Sequence, residues 1–152
     1  NQAYSTPAPI AYLASELARI TKKSKVYEPT AGNGMLLIGA DFSKVSANEL
    51  NDERFANLQS LGLNPTQGDA VTAIPDGRMK AKSVDAMITN PPFGGVDGKK
   101  SKDGYKISKI DHLIAAEALD AMKDDGRAVL IIGANKVAGQ MAEDKARHGR
   151  SE

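Results

Sequence analysis

Short apolar runs alternate along this chain with segments of helical period. Residues 128–132 form one such run, whereas Ile10, Leu13, Leu17 and Ile20 lie three or four residues apart. The second spacing predicts a helix that buries these four side chains in one stripe. The whole pattern predicts helices over 9–21, 35–42, 52–61 and 112–122, and strands over 25–28, 45–50, 65–68, 84–89 and 128–132.

Strands and helices that alternate at this spacing are typical of βαβ units around a mostly parallel sheet. We therefore predict a single α/β domain over residues 1–152, with helices on both faces and strand order 3-2-1-4-5. Ligands of such sheets bind at the carboxyl ends of the strands. The segments that follow the strands are therefore the candidate sites.

The connection after the fourth strand is long and basic. Residues 96–109 carry five lysines against two aspartates. Connections of this length that lack secondary structure are usually functional or disordered. We predict a flexible loop here, and both a solvated surface and a nucleic-acid contact remain open for its lysines.

Composition excludes several kinds of site. The 152 residues include no cysteine and two histidines, and their net charge is +1. The missing cysteines exclude disulfides, cysteine-ligated metals and thiol catalysis, so the cytoplasm is the expected compartment and no metal site is expected. No apolar run approaches the roughly 20 residues of a membrane-spanning helix, so no membrane partner is expected. The chain begins with Asn1, which suggests a fragment of a longer polypeptide.

A glycine-rich turn follows the first predicted strand, in the sequence EPTAGNG over 28–34. Gly32 and Gly34 permit a sharp turn and close approach of a ligand, and the amides of the next predicted helix would face an anionic group. Position 37 is leucine, so the third glycine of a dinucleotide fingerprint is missing, and no phosphate-binding lysine follows Gly34. A tight turn that binds nothing remains the alternative.

Acidic residues follow the second and third strands. Glu49 is placed to accept both hydroxyls of a ribose, and Asp69 to accept a hydrogen bond from an adenine amino group. Each residue also has a simple structural interpretation: Glu49 as a solvated acid at a strand end, and Asp69 as a cap or turn residue.

The most specific signal is Asn90-Pro91-Pro92-Phe93, directly after the fourth strand. Two prolines fix the backbone and leave the Pro91 carbonyl without a competing local donor, beside the side-chain oxygen of Asn90. Two convergent acceptors suit a planar exocyclic amine with two N–H donors, and Phe93 offers a face on which a heterocycle can stack.

In this order, the motifs resemble those of the S-adenosylmethionine-dependent N6-adenine DNA methyltransferases of the gamma arrangement. EPTAGNGML and NPPFG are most similar to methylase regions of large phage and plasmid proteins with a helicase-like portion, and to type I modification subunits of restriction-modification systems. The resemblance extends from Gln2 to about Ile132. It implies a Rossmann-like methyltransferase fold, here truncated at its carboxyl end, in a longer protein that carries the target-recognition domain.

The resemblance also implies a role for each motif residue. It implies S-adenosyl-L-methionine as cofactor and catalysis by Asn90, Pro91, Pro92 and Phe93 on an adenine flipped out of DNA. It implies cofactor binding by Tyr4, Thr6, Glu28, Pro29, Thr30, Ala31, Gly32, Asn33, Gly34, Glu49, Leu50, Asp69, Ala70 and Asn90. In the basic segment, we expect nucleic-acid contacts from Lys99, Lys100, Lys102, Tyr105 and Lys106.

Two other functions are compatible with the same residues. RNA bases and protein glutamine also present two N–H donors to an Asn-Pro-Pro-aromatic segment. A methyltransferase-like module without catalytic activity, serving as part of a larger DNA-processing protein, is the second alternative.

Overall fold

The computed structural model describes residues 5–132. In this part of the chain the α-helices are α1 (Ala8–Leu17), α2 (Asp52–Ser60) and α3 (Ile110–Leu119). The strands are β1 (Val26–Glu28), β2 (Val45–Glu49), β3 (Thr66–Gln67), β4 (Val84–Thr89), β5 (Gly95–Lys102), β6 (Tyr105–Lys109) and β7 (Met122–Leu130). None of the helices within residues 5–132 is long and apolar enough to cross a membrane.

Five strands form a parallel sheet in the order β3-β2-β1-β4-β7. In the centre, Val26 of β1 lies opposite Val45 on one side and Ala86 on the other. The predicted strand order is therefore confirmed, with β7 as the fifth strand. β7 begins at Met122, well before the predicted 128, because Met122 already pairs with Val84 and the polar residues 123–126 form an irregularity before regular pairing resumes at Arg127.

Consecutive residues of the strands point to opposite faces and build two cores. Val26 and Ile88 belong to a core with α1 and with Leu58 of α2. Tyr27 and Met87 belong to the other core, with Ala118 of α3. Helices therefore cover both faces, as predicted, and Tyr27 is a core residue with 2% exposure.

The predicted apolar stripe of the first helix is wrong for three of its four residues. Ile10, Leu13 and Leu17 are 47%, 57% and 60% exposed, and only Ile20, just beyond the end of α1, is buried. The buried face of α1 consists of small residues, Ala11, Ala14 and Ser15. Close packing explains this choice, because a Cβ added at Gly39 would lie 2.7 Å from the Ser15 hydroxyl oxygen.

The predicted helix over 35–42 is also wrong. The structure has two 3-10 turns, Met35–Leu37 and Phe42–Lys44. Asp41 caps the second turn by accepting a hydrogen bond from the Ser43 amide at 3.0 Å. This local bond and the weak helix propensity of Gly39 favour short turns over a continuous helix.

The predicted loop over 96–109 is instead an antiparallel hairpin of β5 and β6. Lys102 pairs with Tyr105 around Asp103 and Gly104, whose φ angles are +50° and +82°. Asp-Gly with both φ angles positive is the turn that matches the twist of two paired strands. The basic segment therefore has its own secondary structure, which the prediction of a flexible loop did not include.

Candidate active site at the carboxyl edge of the sheet

The predicted site residues follow four strands that are adjacent in the sheet. Glu28 and Glu49 end β1 and β2, Asp69 comes shortly after β3, and Asn90 comes directly after β4. Because these strands are parallel, their carboxyl ends lie along one edge. The structure thus places the four motifs on the same edge of the sheet.

The glycine-rich turn has the backbone that its sequence predicts. Gly32 and Gly34 have φ angles of +58° and +77°, a region that favours glycine. A Cβ at Gly34 would also lie 3.3 Å from Cδ2 of Leu58. A 3-10 turn of three residues follows in place of the predicted helix. No helix macrodipole therefore contributes to anion binding at this turn.

Glu49 is buried and held by three donors. Its Oε2 accepts from the Gly32 amide at 2.9 Å, and its Oε1 accepts from the Asn51 amide and from Arg54 Nη2, both at 2.9 Å. Burial acts to raise the pKa of Glu49, but the hydrogen bonds from Arg54, Asn51 and Gly32 outweigh it and the pKa is lowered. The carboxylate is therefore ionised, and of about four acceptor positions one stays open, on Oε2.

Glu28 is a second buried carboxyl group, 1% exposed, beneath the glycine-rich turn. Its Oε1 accepts from the Thr30 amide at 3.1 Å, and the Thr30 hydroxyl lies 2.9 Å from that of Thr89 at the end of β4. Burial raises the pKa of Glu28 to about 8, although the hydrogen bonds from Thr89 and Thr30 act to lower it. At neutral pH this side chain is mainly protonated and serves to tie the ends of β1 and β4 together.

The segment before α1 contacts two of the motifs. Asn90 Nδ2 donates to the Thr6 hydroxyl at 3.0 Å, and Asn33 Nδ2 donates to the Ser5 hydroxyl at 3.0 Å. Thr6 is buried, with 8% exposure. Because the amide nitrogen of Asn90 is engaged, its oxygen is left as the acceptor. Tyr4, predicted to bind the cofactor, lies outside the described residues.

The segment that contains Asn90 combines a buried anchor with an exposed ring. Pro91 is fully buried, whereas Pro92 is exposed and Phe93 is 57% exposed. Within residues 5–132, no backbone N–H donates to the Pro91 carbonyl. The Pro91 carbonyl therefore has no backbone donor in this part of the chain, and the exposed ring of Phe93 follows two residues later.

Asp69 shows the capping role that its sequence position allows. Its Oδ1 accepts from the Val71 amide at 2.9 Å, at the start of the 3-10 turn Ala70–Thr72. Its other carboxylate oxygen takes no hydrogen bond from residues 5–132, so the cap does not exclude a ligand contact. Leu50, which follows Glu49, is 66% exposed, whereas Ala70 is buried.

Sequence analysis missed three residues that hold these motifs in place. Asn48 is 1% exposed and links the turns after β1 and β3, Arg78 binds Asn48, and Arg54 binds Glu49. An asparagine inside a predicted strand was the available signal, because asparagine is uncommon in strands and a buried amide needs partners. Nothing in the sequence pattern indicated which residues these partners are.

The predicted nucleic-acid contacts lie on the β5–β6 hairpin and differ in their surroundings. Lys102 Nζ contacts Asp120, and Glu117 Oε2 at 3.3 Å, so it fastens the hairpin to α3 and its neighbouring residues. Its side chain is only 17% exposed. Lys99, Lys100, Lys106 and Tyr105 are exposed, and Tyr105 reaches 75%. The structure therefore sets Lys102 apart from the other predicted contacts.

Comparison with solved structures identifies the fold as that of the Rossmann-like methyltransferases. A modification subunit of a putative type I restriction enzyme from Vibrio vulnificus YJ016 matches with a TM-score of 0.63 and 18% identity, over 83% of this chain and 33% of that one. The methyltransferase subunit of a type I restriction-modification system from Streptococcus thermophilus matches with a TM-score of 0.59 and 21% identity, over 96% of this chain and 39% of that one.

The same fold occurs in a structure described as a SAM-dependent methyltransferase, possible histamine N-methyltransferase, from Thermotoga maritima. It matches with a TM-score of 0.53 and 14% identity, over 93% of this chain and 61% of that one. No family model and no curated protein sequence matches the chain. The chain thus spans about a third of the type I subunit from Vibrio vulnificus, and the likeness at these identities concerns the fold.

Proposed function

We propose that this chain is a methyltransferase domain that transfers a methyl group from S-adenosyl-L-methionine to the N6 amino group of adenine in DNA. The observation that carries the proposal is the hydrogen bond from Asn90 to Thr6, two residues that lie 84 positions apart. It joins the segment before the first helix to the Asn-Pro-Pro-Phe motif, in a fold shared with type I modification subunits.

The residues along the sheet edge fit S-adenosylmethionine. Gly32 and Gly34 let the backbone turn closely around a ligand, Glu49 keeps one open acceptor on Oε2, and Asp69 keeps one carboxylate oxygen for the base. The Glu49 carboxylate already accepts three hydrogen bonds. It can therefore accept hydrogen bonds from both ribose hydroxyls only if Arg54 releases Oε1. When bound, the cofactor supplies a methyl group already activated by a sulfonium.

Asn90 and Pro91 then act on the acceptor amine. The lone pair of the adenine N6 atom is delocalised into the ring, which makes the amine a poor nucleophile. The Asn90 side-chain oxygen and the Pro91 carbonyl accept hydrogen bonds from its two N–H groups and favour a more tetrahedral, electron-rich nitrogen during attack. As the N6–methyl bond formed, the methyl–sulfur bond would break, and N6 would then release one proton to water. The bond to Thr6 holds the Asn90 amide in the required orientation.

DNA binding is assigned to Phe93 and to the exposed residues of the β5–β6 hairpin. The target amine lies inside a duplex, so the base has to leave the stack, and exposed Phe93 offers a face for it. Lys99, Lys100 and Lys106 are available for phosphates and Tyr105 for stacking. We further propose that sequence recognition comes from other parts of a longer protein.

Calorimetry and labelled methyl transfer test this proposal in two steps. We expect saturable binding of S-adenosylmethionine, weakened by Glu49→Gln, and no binding of NAD. With cofactor labelled in the methyl group, DNA, RNA and protein are then offered side by side, and digestion of the DNA should yield labelled N6-methyladenine. Asn90→Ala should lower the rate by about 100-fold or more, as expected for loss of one transition-state acceptor. Asn57→Ala, at an exposed asparagine of α2, is the matched control and should leave the rate unchanged.

The outcomes separate the parts of the proposal. A folded protein that does not bind the cofactor refutes methyl transfer and favours a non-catalytic module. Preferential labelling of RNA or of protein glutamine refutes adenine in DNA as the acceptor. Equal rates for wild type and Asn90→Ala refute the role of the amide oxygen.

A further inference from the structure

A buried asparagine connects the turns that follow β1 and β3. Asn48 Nδ2 donates to the carbonyl oxygens of Pro29, at 3.0 Å, and Gly68, at 2.8 Å. Asn48 Oδ1 accepts from the Thr66 hydroxyl at 3.0 Å and from Arg78 Nη1 at 2.6 Å. Because Thr66 and Arg78 donate hydrogen bonds to one end of the amide, that end is the oxygen, and Nδ2 points towards the two carbonyls.

Arg78 binds the same region from the other side. Its Nη2 donates to the Asp69 carbonyl at 2.7 Å, to the Thr72 hydroxyl at 3.0 Å and to Asp76 Oδ2 at 3.2 Å. A Cβ added at Gly68 would lie 2.5 Å from the guanidinium carbon, so Arg78 lies directly against the backbone before Asp69. The planar fork of an arginine allows it to bind Asn48 and Asp69 together.

We propose that Arg78 is a positioning residue for the base-binding part of the cofactor site, an inference that rests on the proposed function. Arg78 fixes the backbone of Gly68 and Asp69 and, through Asn48, the turn at Pro29. This fixes the direction of the free carboxylate oxygen of Asp69, which accepts a hydrogen bond from the 6-amino group of adenine. Arg78 itself comes from the segment before β4 and belongs to none of the motifs at the sheet edge.

The selectivity for the base distinguishes this role from a purely structural one. S-inosylhomocysteine carries a hydrogen on N1 that S-adenosylhomocysteine lacks, and at position 6 of the purine its oxo acceptor replaces an amino donor. A carboxylate fixed near that position should favour the adenosyl compound by about tenfold or more, as expected for a hydrogen bond to a charged group. A residue that only stabilises the fold would change the melting temperature without changing this ratio.

Calorimetric titration of both compounds into wild type and variants measures the ratio of their dissociation constants. Arg78→Met should reduce the preference to less than about threefold. Asp76→Asn removes an exposed ion-pair partner of Arg78 and should lower the ratio at least about twofold with the fold intact, so it carries the test where Arg78→Met does not fold. Arg127→Met, at an exposed arginine of β7, is the matched control and should keep the wild-type ratio.

Three results would overturn the inference. If Arg78→Met, or Asp76→Asn in its place, keeps the wild-type ratio, Arg78 has no positioning role and the proposed function still stands. If wild type binds both compounds equally, Asp69 does not contact the 6-amino group. If the folded wild type binds neither compound, the proposed function itself fails and the base contact fails with it.

Discussion

Glu28 should make the stability of this protein depend on pH, and Glu28→Gln should remove that dependence. The buried carboxyl group has a pKa of about 8 in the folded chain, against an ordinary value of 4.5. Between these two values the folded chain keeps a proton that the unfolded chain releases. The contribution of Glu28 to stability is therefore fully present below pH 4.5 and is lost as the pH rises towards 8.

The magnitude follows from the two pKa values. Each pH unit in the window from 4.5 to 8 changes the free energy of unfolding by about 1.4 kcal/mol, so the whole window amounts to about 5 kcal/mol. Glutamine has nearly the same shape, keeps an oxygen to accept from the Thr30 amide, and cannot ionise. Between pH 5.5 and 7.5, the free energy of unfolding of wild type should fall by about 3 kcal/mol relative to that of Glu28→Gln.

Urea unfolding followed by circular dichroism at several pH values measures this difference. Subtracting the variant from wild type cancels the titration of all other groups. Glu16→Gln, at an exposed glutamate of α1, serves as the matched control for the same substitution. If the difference between wild type and Glu28→Gln stays constant from pH 5.5 to 7.5, Glu28 is ionised in the folded protein and burial does not raise its pKa to about 8.

Two further predictions concern the glycine-rich turn and the hairpin. Gly34→Ala should destabilise the protein by about 1–2 kcal/mol because of its left-handed φ, and by more than that because the new Cβ would lie 3.3 Å from Cδ2 of Leu58. Gly62→Ala has a similar positive φ but an open environment, so an equal loss of stability for both variants in urea would contradict the crowding. Lys102→Met should cost less than about 1 kcal/mol but speed amide exchange throughout β5 and β6, since it removes their ionic link to Asp120. High salt should reproduce this effect in wild type, and exchange unchanged in the variant would show that packing alone holds the hairpin.

The sheet and the motif positions were predictable because their signals are local. β4 has the predicted bounds, and the residues of the candidate site follow four strands whose positions were predicted from the sequence. The hairpin was missed although Asp103-Gly104 is a strong turn signal, because the lysines obscured the alternation of the two strands.

Other features depend on residues that are distant in sequence. The buried face of α1 is lined by alanines because the helix packs closely beside Gly39, a fact that the spacing of its leucines does not contain. Asn90 and Thr6 could be named from motifs, but the bond between them requires the complete sheet. Arg78 carries no motif, and its contacts with Asn48 and Asp69 arise only from the tertiary fold.

The parallel order of the sheet also has a consequence for how the site is formed. No neighbouring strands in it are joined by a hairpin, and β1 lies between β2 and the much later β4. Contacts of such long sequence separation form slowly, because the loops must close before the contacts stabilise them. Thr6 and Asn90 can meet only after β4 has docked, so their hydrogen bond is absent from any intermediate that contains β1 to β3 alone. Competence for ligand binding should therefore appear late in folding, in the same kinetic step as the pairing of β1 with β4.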